Sequence, residues 1–396
     1  MSFKKKAIIV ALVLAGLLLA INKYFLYASL VLPALVFVVF FRKIRKAFNL
    51  FIYTVNLLLK RHPNALMPLE TDASYHFLAL KDGRKLGYRL FGPHDGWPVF
   101  YFHGTPSSGM DAQMIEIEIL EKNEIRLIAI DRPGIGMSDF QKQRNFSHWA
   151  KDVEEVANKL GIDKFSVLGF SGGAGYVAAC AAIIPNRLRT AVIIAGAWKM
   201  NVKEANDHVF ESIRLFWKVA AKAPFIVPFI IKAMRTEKDE ITEEEIELWK
   251  HGTIEVDFNF LKENNRLVIL KSSVNYAITN IKGVTWDVLM YVKNWDIALD
   301  KIQFPITLLH GLQDRNVPVA LVEKTVSILA NATLKLYEQE GHYSILGNQM
   351  ADVIFALTGK EAILPIRVET ASAPEAIIAT ATQRDALPDP EVIPGT

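Results

Sequence analysis

The stretch Phe165-Ser166-Val167-Leu168-Gly169-Phe170-Ser171-Gly172-Gly173 sets a serine between an apolar run and a small-residue segment, Ala174 to Ile184, that reads as a helix. The pattern is G-x-S-x-G at a strand-to-helix junction. A strand that turns into a helix within one residue strains the central position and leaves its neighbours no room for side chains, so glycines flank the serine. The serine hydroxyl is then held out at the carboxyl edge of a sheet, at a helix N-terminus whose dipole favours developing negative charge. Alone, such a motif also reads as a Gly/Ser turn capping a helix. The strand before it and the helix after it are what favour a nucleophile.

Two further elements follow in order. Pro305-Ile306-Thr307-Leu308-Leu309 reads as a buried strand running into His310-Gly311-Leu312-Gln313-Asp314, which puts Asp314 on a loop at a strand end. Thr333-Leu334-Lys335-Leu336-Tyr337 is a second short strand and leads into Gly341-His342-Tyr343-Ser344. His342 is the only histidine after Asp314, so a Ser…Asp…His order leaves one candidate base. A serine hydroxyl attacks only when a base takes its proton. That base works best when a buried carboxylate fixes its tautomer and stabilises its charged form. Taken singly, Asp314 reads as a solvated loop residue and His342 as a helix cap; three such residues in order at strand ends are hard to assign to coincidence.

A third strand, Val99-Phe100-Tyr101-Phe102, precedes His103-Gly104-Thr105-Pro106. Acyl transfer needs two preset N–H donors for a tetrahedral oxyanion, and the backbone amides of Thr105 and Gly172 are the candidates. His103 comes before the serine and reads as a structural loop residue. At these positions the chain resembles the α/β-hydrolase family, in its H-G-x-P branch with a Ser-Asp-His triad, over about Tyr75 to Thr358. Asp131-Arg132-Pro133-Gly134-Ile135-Gly136-Met137-Ser138 is similar to that family's D-x-P-G-x-G-x-S turn, and Ile302 to Pro318 to its strand-HG-x-x-D-x-x-x-P segment. The resemblance implies a doubly wound, mostly parallel sheet. Ser171 stands where dehalogenase and epoxide-hydrolase relatives carry aspartate, which argues against an alkyl-enzyme route. The loop His103 to Ser107 lacks the H-G-G-P-G pattern of proline iminopeptidases.

The wider pattern agrees with an α/β class. Phe77–Leu80 and Leu86–Leu90, joined at Asp82-Gly83, read as an opening hairpin. Runs at Val99–Phe102, Leu127–Ile130, Phe165–Leu168, Ala191–Ile194, Ile306–Leu309 and Leu334–Tyr337 alternate with helical segments. Residues 75–198 and 302–366 are thus expected to form the core, and residues 199–301, which are helix-rich, a cap inserted after the sixth strand. In that cap Arg214, Lys218 and Lys222 recur at helical spacing before Phe225-Ile226-Val227-Pro228-Phe229-Ile230-Ile231. Such a pattern suits either a lid facing anionic lipid headgroups or a helix with one solvated and one buried face. Residues 367–396, Ala/Thr/Pro-rich and without aromatics, are expected to be disordered.

Composition bounds the rest. The chain has 396 residues, 51% of them hydrophobic, enough for one large core with a lid and flanking segments. Its single cysteine, Cys180, excludes an intramolecular disulfide and lies in the apolar helix after Ser171. No Cys/His/carboxylate cluster has metal spacing, and Gly134-Ile135-Gly136 lacks the third glycine of a nucleotide loop, so no cofactor is expected. Residues 1–69 hold ten Lys/Arg and no acid, which turns the net +3 of the whole chain into −7 for the remainder. The basic balance therefore belongs to a membrane-facing N-terminus rather than to a nucleic-acid face.

Residues 7–21 and 24–41 are apolar, broken by Asn22-Lys23 and flanked by lysine and arginine. As one helix they would reach roughly 50 Å, too long for a ~30 Å hydrocarbon core. Two short spans within an anchor of residues 1–43 put both basic flanks on the cytoplasmic side, and the following domain with them. One span with an interfacial remainder is the competing arrangement, and a cleaved signal peptide fits poorly. Residues 44–74 are expected to be an interfacial helix and linker, with Arg45, Asn49, Asn56 and Lys60 along one face. The reading that results is a membrane-anchored serine hydrolase of a lipophilic carboxylic ester. An acyltransferase or amidase with the same triad is the nearest alternative, and a non-catalytic ligand-binding protein comes from another class.

Overall fold

A computed structural model describes residues 75–236 and 241–365. The apolar runs form eight strands: β1 (Tyr75–Ala79), β2 (Lys85–Phe91), β3 (Trp97–Phe102), β4 (Ile125–Ile130), β5 (Phe165–Phe170), β6 (Leu188–Ile194), β7 (Ile306–Gly311) and β8 (Ala332–Tyr337). They make one sheet in the order β1-β2-β4-β3-β5-β6-β7-β8. β2 pairs antiparallel with both β1 and β4, and every other pairing is parallel. Parallel strands need crossovers, and here helices fill them: α1 (Ile117–Lys122), α2 (Phe146–Lys159) and α3 (Ala174–Ile183). The β6–β7 connection carries six more, α4 (Glu211–Lys222), α5 (Val227–Ala233), α6 (Glu243–Gly252), α7 (Glu255–Lys262), α8 (Arg266–Ile278) and α9 (Ile281–Met290). α10 (Val319–Val326), α11 (Ser344–Asn348) and α12 (Met350–Thr358) complete the described chain.

The central strands are buried on both faces, which is why their sequences are almost unbroken apolar runs rather than alternating ones. Alternation still sorts them. Phe100, Phe102 and Val167 point to the layer of α2 and α3, packing with Trp149, Val153 and Ala178. Val99, Tyr101 and Leu168 point to the other layer, with Ile119, Val353 and Leu357. Each fully buried side chain of this size contributes about 1.5–3 kcal/mol relative to exposure. α2 starts where it does because the side chain of Asn145 accepts the His148 amide, a helix N-cap.

A third apolar cluster joins α9 to α5 and α8 through Val284, Val288, Val227, Ile231 and Ala277. One close backbone approach between this inserted layer and the core lies at α9: a Cβ on Gly283 would stand 1.7 Å from the Gly134 carbonyl oxygen. Among the described residues no helix is long and apolar enough to cross a membrane. The expected spans at residues 7–21 and 24–41, the interfacial segment 44–74 and the tail 367–396 lie outside the described residues.

Candidate active site

Strand order decides where chemistry can gather. β3 lies between β4 and β5, so the loops leaving β3 and β5 diverge to opposite sides, and a crevice opens above their carboxyl ends. The His103–Pro106 loop leaves β3, Ser171 leaves β5, Asp314 follows β7 and His342 follows β8. All four expected segments thus converge on one edge of the sheet.

Ser171 has φ +50°, a left-handed backbone at a non-glycine residue, as a one-residue strand-to-helix turn requires. A single 3₁₀ turn, Ser171–Gly173, comes first, and α3 begins at Ala174. The turn is tight enough that a Cβ on Gly169 would stand 2.7 Å from the Gly173 carbonyl oxygen. His342 Nε2 lies 3.0 Å from Ser171 Oγ, and His342 Nδ1 lies 2.7 Å from Asp314 Oδ2. With the carboxylate accepting, Nδ1 carries the proton and Nε2 faces the serine hydroxyl with its lone pair. Asp314 Oδ1 accepts the Asn316 and Val317 amides at 2.7 and 2.8 Å, so the carboxylate cannot rotate away. Burial opposes charge on both partners. For Asp314 the neighbouring His342 and His310 and the Val317 amide outweigh it and hold the carboxyl below its ordinary range. For His342 the charge and hydrogen bond of Asp314, with the charge of Asp257, outweigh it and raise the imidazole.

The two expected oxyanion segments also meet. A Cβ on Gly172 would stand 2.9 Å from the Thr105 amide nitrogen and 2.6 Å from its Oγ1, so the close approach depends on glycine there. His103 is buried, with Nδ1 2.8 Å from the Gly104 carbonyl oxygen, and burial and the adjacent Arg132 hold it well below the ordinary histidine range. It is neutral and fixed in the loop.

Several polar residues at this site have no counterpart in the sequence reading. Asp111 takes the Gly104 amide at 2.9 Å and lines the same cavity; burial pushes its carboxyl up to about 6. Asp257, on α7, accepts the His342, Tyr343 and Ser344 amides at 2.9, 2.8 and 2.9 Å and so caps α11 and seats the histidine. Arg132, noted only as part of the family turn, is wholly buried: its guanidinium donates to the His103 and Gly104 carbonyls at 2.5 and 2.7 Å and pairs with Asp287 at 2.6 Å. Arg144 also pairs with Asp287, at 2.7 Å. The only advance signal for any of these was the arginine inside the D-R-P-G turn.

Above the serine is a cavity of about 520 Å³, walled by Phe170, Phe216, Trp217, Ile230, Leu270 and Tyr343. The walls are chiefly apolar; the Lys271–Glu245 pair, 2.8 Å apart, is a polar exception. Among the described residues no cluster of His, Cys, Asp or Glu is placed to hold a metal ion. The arrangement can deprotonate Ser171 under a chiefly apolar wall.

Comparison with known proteins agrees with this architecture. An "alpha/beta hydrolase fold" family profile matches residues 98–349. A bifunctional esterase/perhydrolase of Acinetobacter calcoaceticus is 26% identical over 280 residues, covering 66% of this chain and 90% of that one. A proline iminopeptidase of Xylella fastidiosa is 27% identical over 155 residues, covering 37% of this chain and 49% of that one. Among solved structures, a bacterial membrane phospholipase A superposes with a TM-score of 0.52 at 18% identity, over 89% of this chain and 98% of that one. With its sheet order, its strand-end loops and a family match over most of its length, the chain belongs to the α/β-hydrolase fold family and is a hydrolase.

Proposed function

We propose that the protein is a serine hydrolase that cleaves a lipophilic carboxylic ester through an acyl-enzyme. The observation that carries this reading is the unbroken chain from Ser171 Oγ through His342 to Asp314 at the floor of an apolar cavity. Ser171 attacks the ester carbonyl and His342 takes its proton. The Thr105 and Gly172 amides hold the oxyanion, and His342 returns the proton to the departing alcohol. Water, activated by the same imidazole, then releases the acid. No cofactor enters this scheme.

The lipophilic assignment is supported by the cavity wall and by the outer face of the insertion. Phe225 is 73% exposed and Phe229 49%, beside Ile230 and Met234, which line the cavity. Lys218 and Lys222 lie on α4, just before Phe225, and Lys232 lies on α5 with Phe229 and Ile230. An apolar lip with basic flanks suits an anionic membrane surface. Residues 1–43 would supply the integral anchor, with the hydrolase domain on the cytoplasmic side. Ser171→Ala should abolish labelling by a fluorophosphonate probe and lower esterase turnover by several orders of magnitude. Persistent labelling in that variant would refute the nucleophile. Parallel turnover of ester, amide and alcohol-acceptor panels separates this reading from the amidase favoured by the iminopeptidase likeness and from an acyltransferase.

A further inference from the structure

Two residues of the insertion reach the two segments that would bind the oxyanion. Asp287 lies on α9 and Tyr291 immediately after it, four residues apart, so both project from the same side of one helix. Asp287 Oδ2 accepts the Thr105 hydroxyl at 2.5 Å. Tyr291 donates its phenolic hydrogen to the Gly172 carbonyl oxygen at 2.5 Å. Both residues are essentially inaccessible to solvent, and Tyr291 is wedged among Phe146, Trp217 and Trp295. Thr105 is held from the core side as well, where Arg132 donates to its Oγ1 at 2.7 Å.

The supports of Asp287 do not wander. Arg132 and Arg144 pair with its two oxygens, and the Tyr176 hydroxyl donates to the second of them. One carboxylate between two guanidiniums, all wholly buried, is held far below the ordinary carboxylate range by those charges and so stays ionised. It acts as a fixed acceptor rather than as an acid or base.

We propose that Asp287 and Tyr291 are positioning residues that set the oxyanion hole from the insertion, Asp287 through the Thr105 side chain and Tyr291 through the Gly172 carbonyl. The inference rests on the serine-hydrolase reading above. It makes the inserted layer part of the catalytic geometry and not only a roof over the substrate. An amide donor works only if it points at the place where charge develops, and a misplacement of about 1 Å can cost about 100-fold. Tyr291 holds the peptide unit that follows the Gly172 amide, and Asp287 holds the side chain of the residue that carries the Thr105 amide.

The test avoids stranding charge. Tyr291→Phe removes one hydroxyl, and Thr105→Val removes the group that Asp287 holds; neither leaves an unpaired ion. Each should lower kcat on p-nitrophenyl butyrate about 10-fold, a partial loss against the 100- to 1,000-fold of a deleted donor, with KM within about twofold. Inhibition by an alkyl trifluoromethyl ketone should weaken by about the same factor. That probe takes Ser171 Oγ at its carbonyl carbon, passes the serine proton to His342 and leaves its oxygen as the anion in the hole. Thr105→Ser, which keeps the hydroxyl, should recover most of the loss, and the double variant should fall short of the product of the single losses, since the two positions share one site. Rates are counted per serine titrated to completion with fluorophosphonate, so partial unfolding does not mimic the effect. Wild-type kcat and ketone affinity in both single variants would overturn the proposal, as would a rise in KM with kcat unchanged. If the triad reading itself fails, Ser171→Ala retains turnover, an outcome independent of these variants.

Discussion

Two buried ion systems lie within this site and are built to opposite ends. In the Ser171–His342–Asp314 chain a carboxylate faces one imidazole, and that imidazole keeps a lone pair turned toward the serine. In the Arg132–Asp287–Arg144 cluster a carboxylate faces two guanidiniums and a phenol, and nothing there can accept or lose a proton near neutral pH. The first ends on a hydroxyl whose proton the imidazole can take. The second is tied by two ion pairs and a phenol so that nothing moves. Comparing them indicates which residues should answer to kinetics and which to stability.

The largest separation is expected from isosteric amides. Asp314→Asn should keep the fold yet lower turnover by about four orders of magnitude, because the imidazole is left in the wrong tautomer. A circular-dichroism melt alongside a rate on a soluble ester checks both halves; near-normal turnover would mean that another acid orients His342. Asp287→Asn should do the reverse in emphasis and cost about 3–5 kcal/mol of stability, since removing one partner strands buried charge. Urea denaturation followed by tryptophan fluorescence reads that directly, and an unchanged midpoint would dissolve the contrast.

A smaller effect separates the proton-moving system by pH. His342 must be neutral to take the serine proton, and its neighbours raise its pKa. The rate constant kcat/KM should therefore fall as pH drops through an inflection above the ordinary value of about 6.5. Asp257→Asn removes one of the charges responsible and should move that inflection downward; an upward move would contradict the assigned cause. The smallest effect lies on the outside. Phe225→Ser combined with Phe229→Ser should reduce turnover of an ester held in anionic vesicles by a few-fold and leave a soluble ester untouched, as each exposed ring contributes only modestly to interfacial contact.

How much of this was legible in the chain depended on the range of the interactions. The strands and the Ser171, Asp314 and His342 positions are announced locally, by apolar runs that end in short turn motifs, and the eight runs correspond to β1–β8 within a few residues at each end. Ser171 to Gly173 form a 3₁₀ turn before α3, a detail of the strained corner that a helix pattern does not express. Asp257, Asp287 and Tyr291 were not legible. Their partners lie many residues away, and each sits in or at the end of a helix whose remaining residues suggest only amphipathic packing. A buried aspartate on a mixed helix looks like a solvated one until the fold brings two arginines to it.

The contact between Gly134 and Gly283 has a consequence for anyone who would reshape this enzyme. At that point α9 approaches the core backbone to backbone, so the height of the inserted layer there is a fixed datum, with no space for a side chain. Enlarging or shrinking the chamber must therefore be done from the far side, at residues such as Phe216, Ile230 and Leu270 on α4, α5 and α8. The scaffold offers one adjustable wall and one that is set in place.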